Sequence, residues 1–403
     1  MINARTPPLC QPTLYRILSV VLYLHIACSP AARAQETPPP AEPSPAEPEF
    51  VAPFGAEILV SEVLLDVLVT DRKGNVILGL GADDFVVTEG DRKVQVTSAS
   101  FYSNRRSIGA EALETTASVG SAPHAGSAEP AARNPDAGLA PRYFIFFFDD
   151  QRSHNADVPG LLQRQVRAGK DAIEWLRTGL APADWVAVLG YDNRLKLYQD
   201  FSDDRAALAR AIENATLGRA DRGNFPSRQA PSLPGAPSLA GGLPVGDALS
   251  RETGTVYEAL TLVAEAAAPL IGRKNLLLFT IGFGRINRFH EYEPDPRYFE
   301  PMSESLNDAN VAVYTFDLTD TGTVHPFSNA MSHISTDTGG RYFPNVLHFK
   351  APIADDAKET SGYYLVSYKA EHLTGMRGFQ KVKVTLANPE LKVTARKGYR
   401  FGG

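Results

Sequence analysis

The stretch Tyr143-Phe-Ile-Phe-Phe-Phe148 constrains this chain more than any other. An unbroken run of large apolar side chains has no polar face, so a strand built from it must be covered on both sides. Such a strand belongs inside a parallel sheet between two helical layers. The text that follows keeps that grammar. Leu162, Val166, Ile173 and Leu176 recur at helical spacing, Trp185–Leu189 and Leu195–Tyr198 read as strands, and Asp204–Leu217 reads as a helix. Beyond a Pro/Gly/Ser-rich insertion from Gly223 to Gly246, helices are expected over Val256–Leu270, Met302–Asn307 and Phe327–Ile334. Strands are expected over Asn275–Thr280, Val311–Phe316 and Arg341–Phe343. The expected class is α/β, a doubly wound, mostly parallel sheet occupying 142–349.

The flanks read differently. In Val63-Leu-Leu-Asp-Val-Leu-Val69, Leu65, Val67 and Val69 share one face, and Phe85–Glu89 is expected to pair with Val94–Val96 across Gly90-Asp91. A helix over Ala354–Thr360 and strands over Tyr363–Tyr368, Phe379–Leu386 and Leu391–Ala395 close the chain. Neither the N-terminal β segment (50–104) nor the C-terminal segment (350–403) buries much alone, so the two are expected to form one β-sandwich. Residues 105–141, rich in Ala, Gly, Ser and Pro, read as a linker.

The first residues carry an address. Arg5 and Arg16 form a basic head, Ile17–Ala27 is an apolar run too short to span a bilayer, and Ala32-Arg33-Ala34 supplies a small-residue cleavage site. Residues 1–34 therefore read as a signal peptide and 35–49 as a Pro-rich spacer, placing the protein in the periplasm or outside the cell. Cleavage would take both cysteines, Cys10 and Cys28, together with three arginines and no acid, so a net charge of −6 would become −9. An acidic chain of this kind is not expected to bind nucleic acid, and no transmembrane segment is expected in the mature chain.

In an open α/β sheet, ligands bind beyond the carboxyl ends of the strands. The loop after the first strand, Asp149-Asp-Gln-Arg-Ser-His154, is acidic and free of glycine, so it cannot cradle a pyrophosphate. Gly282-Phe-Gly284 lacks the third glycine of that fingerprint, no G-x-S-x-G elbow occurs, and no H-E-x-x-H marks a zinc site. Asp149, Gln151 and Ser153 alternate at a strand end, a spacing that can aim oxygens at a hard cation, and Thr255 could add another from a neighbouring loop. The same residues also read as ordinary caps, Asp149 and Asp150 bonding nearby N–H groups and Thr255 starting a helix.

At these positions the chain resembles a von Willebrand factor A domain with its metal-ion-dependent adhesion site. The likeness runs from Arg142 to about Asn345 through Asp149, Gly254-Thr255, Ala259-Leu260, Arg273-Lys274 and Thr280-Ile-Gly282. Nearly the whole mature chain resembles an exported bacterial family related to that domain, of acidobacterial type. Val69-Thr-Asp-Arg-Lys-Gly74, Asp84–Gly90, Phe148-Asp-Asp150, Asp200-Phe-Ser-Asp203, Ala312–Thr315, Thr338–Phe343 and Ala395–Tyr399 carry that likeness. The resemblance implies metal ligands at Asp149, Gln151, Ser153 and Thr255, with a further aspartate where this chain has Ile281. An isoleucine ligates nothing, so the site is expected to be degenerate.

The expected function is therefore that of an exported, non-catalytic adhesion or scaffold protein. The loop face of its A-type domain would bind an unidentified protein or peptide, with weak or no metal dependence. No cofactor is expected; Mg²⁺ or Mn²⁺ is what the surviving donors would take. Candidate contacts are Asp150, His154, Arg285, Phe289 and Tyr292, since Arg and Tyr are frequent in hot spots. The alternative is a metal-assisted envelope hydrolase, which would need Asp149, Asp150 and Asp317 to converge.

Overall fold

Alternation in Val63–Val69 and unbroken apolarity in Tyr143–Phe148 lead to two different kinds of sheet, and the computed structural model contains both. It describes residues 58–103, 141–150, 158–220, 236–289, 292–319, 325–344, 346 and 348–402. All of them belong to one compact unit, Gly55–Gly403. The expected signal peptide, the spacer and most of the linker lie outside the described residues.

Strands β1 (Ile58–Thr70), β2 (Phe85–Glu89), β3 (Arg92–Val94) and β4 (Val96–Ser103) come first. They are followed by β5 (Arg142–Asp149), α1 (Val158–Thr178), β6 (Asp184–Tyr191), β7 (Leu195–Ser202) and α2 (Arg205–Thr216). Next are α3 (Asp247–Glu252), α4 (Val256–Ala267), β8 (Lys274–Thr280) and the short pair β9 (Arg285–Ile286) and β10 (Tyr292–Glu293). Then come α5 (Pro296–Asp308), β11 (Val311–Asp317), α6 (Ser328–Asp337), β12 (Tyr342–Phe343) and α7 (Lys350–Glu359). Strands β13 (Gly362–Leu373), β14 (Gly378–Leu386), β15 (Lys392–Thr394) and β16 (Gly398–Phe401) close the chain.

The central sheet has the order β12-β11-β8-β5-β6-β7 and is parallel except for β7, which runs antiparallel to β6. Strand β5 sits in its middle, buried along its whole length. Its odd residues Tyr143, Ile145 and Phe147 pack with α4 and α5, and its even residues Phe144, Phe146 and Phe148 pack with α1, α2 and α7. The fold is thus α/β with a doubly wound, mostly parallel sheet.

Two local expectations shift. On α1 the buried stripe runs through Leu161, Gln165, Ala168, Ala172 and Trp175, while Leu162, Val166 and Ile173 are only half-buried. The cause is a close approach of α2: a Cβ on Gly169 would lie 2.6 Å from the Thr216 methyl, so the smallest residues of α1 turn inward. The hairpin after β2 ends at Val94, paired with Val87, whereas Val96 crosses to the other sheet and pairs with Tyr368.

The flanking segments do make one sandwich. Sheet β15-β1-β13-β4 faces sheet β16-β14-β2-β3, and every pairing is antiparallel. Leu65, Val67, Val87, Val366, Tyr368 and Ala370 fill a shared core. Strand β16 had no separate signal in the sequence. The sandwich rests on the amino ends of β8 and β11. Asp66 of β1 accepts a hydrogen bond from the Asn310 side chain, and Arg396 donates to the carbonyls of Asn307 and Leu64. Helix α7 packs on the sheet through Ile353 and Ala357, and the Ala357 carbonyl accepts from Arg142 at 2.7 Å.

Candidate functional site

Strand order reverses between β5 and β8: the chain leaves β5 toward β6 and later leaves β8 toward β11. The crevice beyond the carboxyl ends of those two strands is the general ligand position of such a sheet. Asp149 ends β5 and Thr280 ends β8. Both are fully buried, and the Thr280 hydroxyl donates to Asp149 Oδ2 at 2.6 Å. The same hydroxyl accepts the Gly282 N–H at 2.9 Å, fixing the turn out of β8. That turn needs its glycine: φ is +92° at Gly282, and a Cβ there would lie 2.3 Å from Phe327 Cβ.

Ile281, between those two residues, is half-buried against the apolar layer holding Phe148 and Phe279. Its side chain packs with the core and offers no oxygen to the crevice. Thr255 caps α4 in a reciprocal box. Its hydroxyl donates to Glu258 Oε2 at 2.9 Å and accepts the Glu258 N–H at 3.2 Å, and its own N–H reaches Glu258 Oε2 at 2.8 Å. The loop before it is anchored by the buried Thr253, whose hydroxyl bonds Leu249 and Leu195 and whose carbonyl accepts from Tyr191. Thr253 carried no signal in the sequence, because two of its partners, Tyr191 and Leu195, lie on a distant hairpin.

Tyr191, at the end of β6, has its phenol pushed up first by burial and then by the charges of Asp149, Glu258 and Asp192. Three carboxylates thus act on one buried hydroxyl at the end of β6. Asp150, half-buried, donates its N–H to the Tyr191 carbonyl at 2.7 Å. Gln151, Ser153 and His154 lie outside the described residues. The described members of the implied donor set, Asp149 and Thr255, offer one carboxylate and one hydroxyl, both already hydrogen-bonded. They fall well short of the oxygen shell that Mg²⁺ or Mn²⁺ takes. Among the described residues no group of three His, Cys, Asp or Glu is placed to hold a metal ion.

Asp317, at the end of β11, stands in register with Thr280. Its carboxylate accepts from the Thr319 hydroxyl and N–H, from the Tyr342 hydroxyl at 2.9 Å, and lies 3.2 Å from His325 Nε2. Burial raises its pKa, but the bonds from His325, Thr319 and Tyr342 outweigh this and hold it below the usual carboxylate value.

The aromatic-basic loop splits. Arg285 is exposed on β9, and Phe289 is 65% exposed with the Arg288 guanidinium 4.8 Å from its ring centre. Tyr292 is not on the surface. It is 9% exposed and packs its ring beside His333, so it supports the loop from beneath rather than offering a contact. A tyrosine in a polar stretch reads as exposed because sequence spacing does not show the pocket that receives it.

The described part of the insertion is structural, and it packs near Ala266 at the end of α4 away from Thr255. Leu239 and Leu243 are buried in the core with α4 and β7, and the buried Asp200 accepts from the Ser238 hydroxyl and from the N–H groups of Leu239 and Ala240.

No family model matches the sequence, and no curated protein matches it. Among solved structures, the chain is similar to the vWF domain of the type V pili tip protein Mfa5 from Porphyromonas gingivalis, at 16% identity over 35% of this chain and 38% of that one, TM-score 0.23. It is also similar to BatB from Bacteroides thetaiotaomicron, at 13% identity over 53% of this chain and 96% of that one, TM-score 0.34. A third is proximal thread matrix protein 1 of the mussel byssus, at 16% identity over 58% and 49%, TM-score 0.32. The chain spans less than half the length of the first and third. No described helix is long and apolar enough to cross a membrane.

Proposed function

We propose that this is an exported, non-catalytic binding protein whose loop face, around the crevice between β5 and β8, captures a protein or peptide without a bound metal. The observation that carries the reading is the commitment of the crevice's own polar groups. Asp149 is held by Thr280, Thr255 is spent on Glu258, and Ile281 faces the core. What remains for a partner is the rim: Asp150, Arg285 and the exposed ring of Phe289. An exposed aromatic beside a guanidinium is a common anchor of protein contacts.

Catalysis is disfavoured by the same geometry. A general base working near neutral pH needs a carboxylate whose pKa is raised. Asp317 is held down instead, and its oxygens are occupied by protein donors. Export rests on the leader-like text of residues 1–34.

The test is photo-crosslinking in envelope extract, with a photoreactive amino acid in place of Phe289 and, as control, in place of the exposed Ile271. Position 271 precedes β8 and so lies at the opposite end of the sheet. One partner band specific to position 289 that persists in chelator supports the reading. No specific band, or one that disappears in chelator, overturns it.

A further inference from the structure

The sandwich carries a second opening at the other end of the molecule, by the amino ends of β8 and β11. Two cavities of about 640 and about 480 Å³ share Asp308, Arg377, Arg400, Phe401 and Gly402, and so form one continuous slot. One wall is the outer edge of β1. Only Leu68–Thr70 of that edge pairs with β15; ahead of them β1 pairs with β13 alone. Alternate residues of a strand turn their backbone groups to opposite edges. The Leu64 carbonyl points outward, since it accepts from Arg396 at 2.9 Å. Val60 and Glu62 therefore turn their N–H and C=O groups outward as well, and no strand among the described residues pairs with them there. An unpaired edge of this kind is a template for another chain.

The other wall is already built. The His372 ring lies parallel to that of Phe401 with centres 4.0 Å apart, and its Nε2 is 3.0 Å from the Tyr399 hydroxyl. Tyr399 in turn donates to the buried Glu89 at 2.6 Å. Apolar side chains stand open along the slot: Leu59 is 54% exposed, Leu64 49% and Met376 53%. Arg377 lines both cavities, and its guanidinium makes no hydrogen bond or ion pair among the described residues. Arg400, by contrast, is engaged with Glu304 and Ser305.

We infer that the slot binds an extended peptide of a partner protein by strand addition to β1. The peptide would carry apolar residues at alternate positions and a carboxylate that meets Arg377. Backbone groups of β1 that no described strand pairs supply the ladder, and the Arg377 guanidinium, without a partner among the described residues, supplies the charge preference. This site is separate from the loop face, which lies at the carboxyl ends of the central sheet.

The test uses the full chain and a fluorescein-labelled peptide of about eight residues, an ordinary strand length, alternating valine and threonine with one central glutamate. Fluorescence anisotropy is expected to show saturable binding. Binding should weaken at least tenfold when lysine replaces the glutamate, and at least tenfold for Arg377→Glu. It should be lost when alternate peptide amides are N-methylated, a control that leaves the protein untouched. Val60→Pro, tolerable on an edge strand, should act in the same way with thermal unfolding unchanged. Absence of saturable binding would overturn the inference, as would equal binding of the lysine or N-methylated peptide. Self-association of the protein abolished by Arg377→Glu would also overturn it, making a second copy the occupant.

Discussion

The Thr280 hydroxyl donates to Asp149 Oδ2 at 2.6 Å across the point where the strand order of the central sheet reverses. Because the same oxygen receives the Gly282 N–H, one hydroxyl joins the ends of β5 and β8 to the turn that follows. Thr280→Val keeps the shape and removes both bonds, leaving a buried carboxylate oxygen and a buried N–H without that partner. The expected loss is about 1–3 kcal/mol, seen as a lower urea midpoint. An unchanged midpoint would mean that the contact organises nothing.

A second buried pair closes the opposite end of the sheet. Arg142 Nε and Nη2 donate to the two oxygens of Asp184 at 2.8 and 2.6 Å, and both residues are almost wholly buried. Removing one partner strands a charge in the interior. Asp184→Ala is expected to cost about 3–5 kcal/mol, whereas replacing both with apolar residues of similar volume should cost less than the two single changes together. A double-mutant cycle with no coupling would contradict this.

Lys274 gives the molecule a pH signature. Burial lowers its pKa to about 8, with the charge of Asp66 opposing and that of Arg396 reinforcing the shift. Between pH 8 and the unfolded value of 10.5 the unfolded chain binds more protons at this site than the native protein does. By linkage, its contribution to stability rises through that window by roughly 3 kcal/mol. Lys274→Met should abolish the rise. Denaturant curves at pH 7.5 and 10 check it, and an identical pH slope in wild type and variant would refute it.

The insertion tests how far loops can be read as loops. By its Pro, Gly and Ser content, Gly223–Gly246 reads as an insertion outside the packed elements. Leu239 and Leu243 instead occupy the core, pinned by Asp200 from β7. Deleting the whole span should lower the melting temperature markedly, and Leu239→Ala alone should cost about 2–5 kcal/mol. A melting temperature that stays put would restore the simpler reading.

That case marks the boundary of what the sequence makes legible. Tyr143–Phe148 announced its place because a strand without a polar face has only one kind of site. The joining of the two β segments followed from the insufficiency of each alone. Leu239, Tyr292 and Thr253 were not legible, since each is placed by a partner far away in the chain: Asp200, the floor beside His333, and the β6–β7 hairpin. For the loop face, Asp149 and Thr255 were located at the strand end and helix start where they stand, but their hydrogen bonds to Thr280 and Glu258 decide what oxygen they can give.

The central claim is that the crevice works without a divalent ion, and isothermal titration of the purified protein with Mg²⁺ and Mn²⁺ addresses it most directly. With Asp149 engaged by Thr280 and a hydrocarbon side chain at Ile281, no saturable heat is expected up to millimolar ion, and Asp149→Ala should titrate like the wild type. Saturable, stoichiometric heat in the wild type that vanishes in Asp149→Ala would contradict the account.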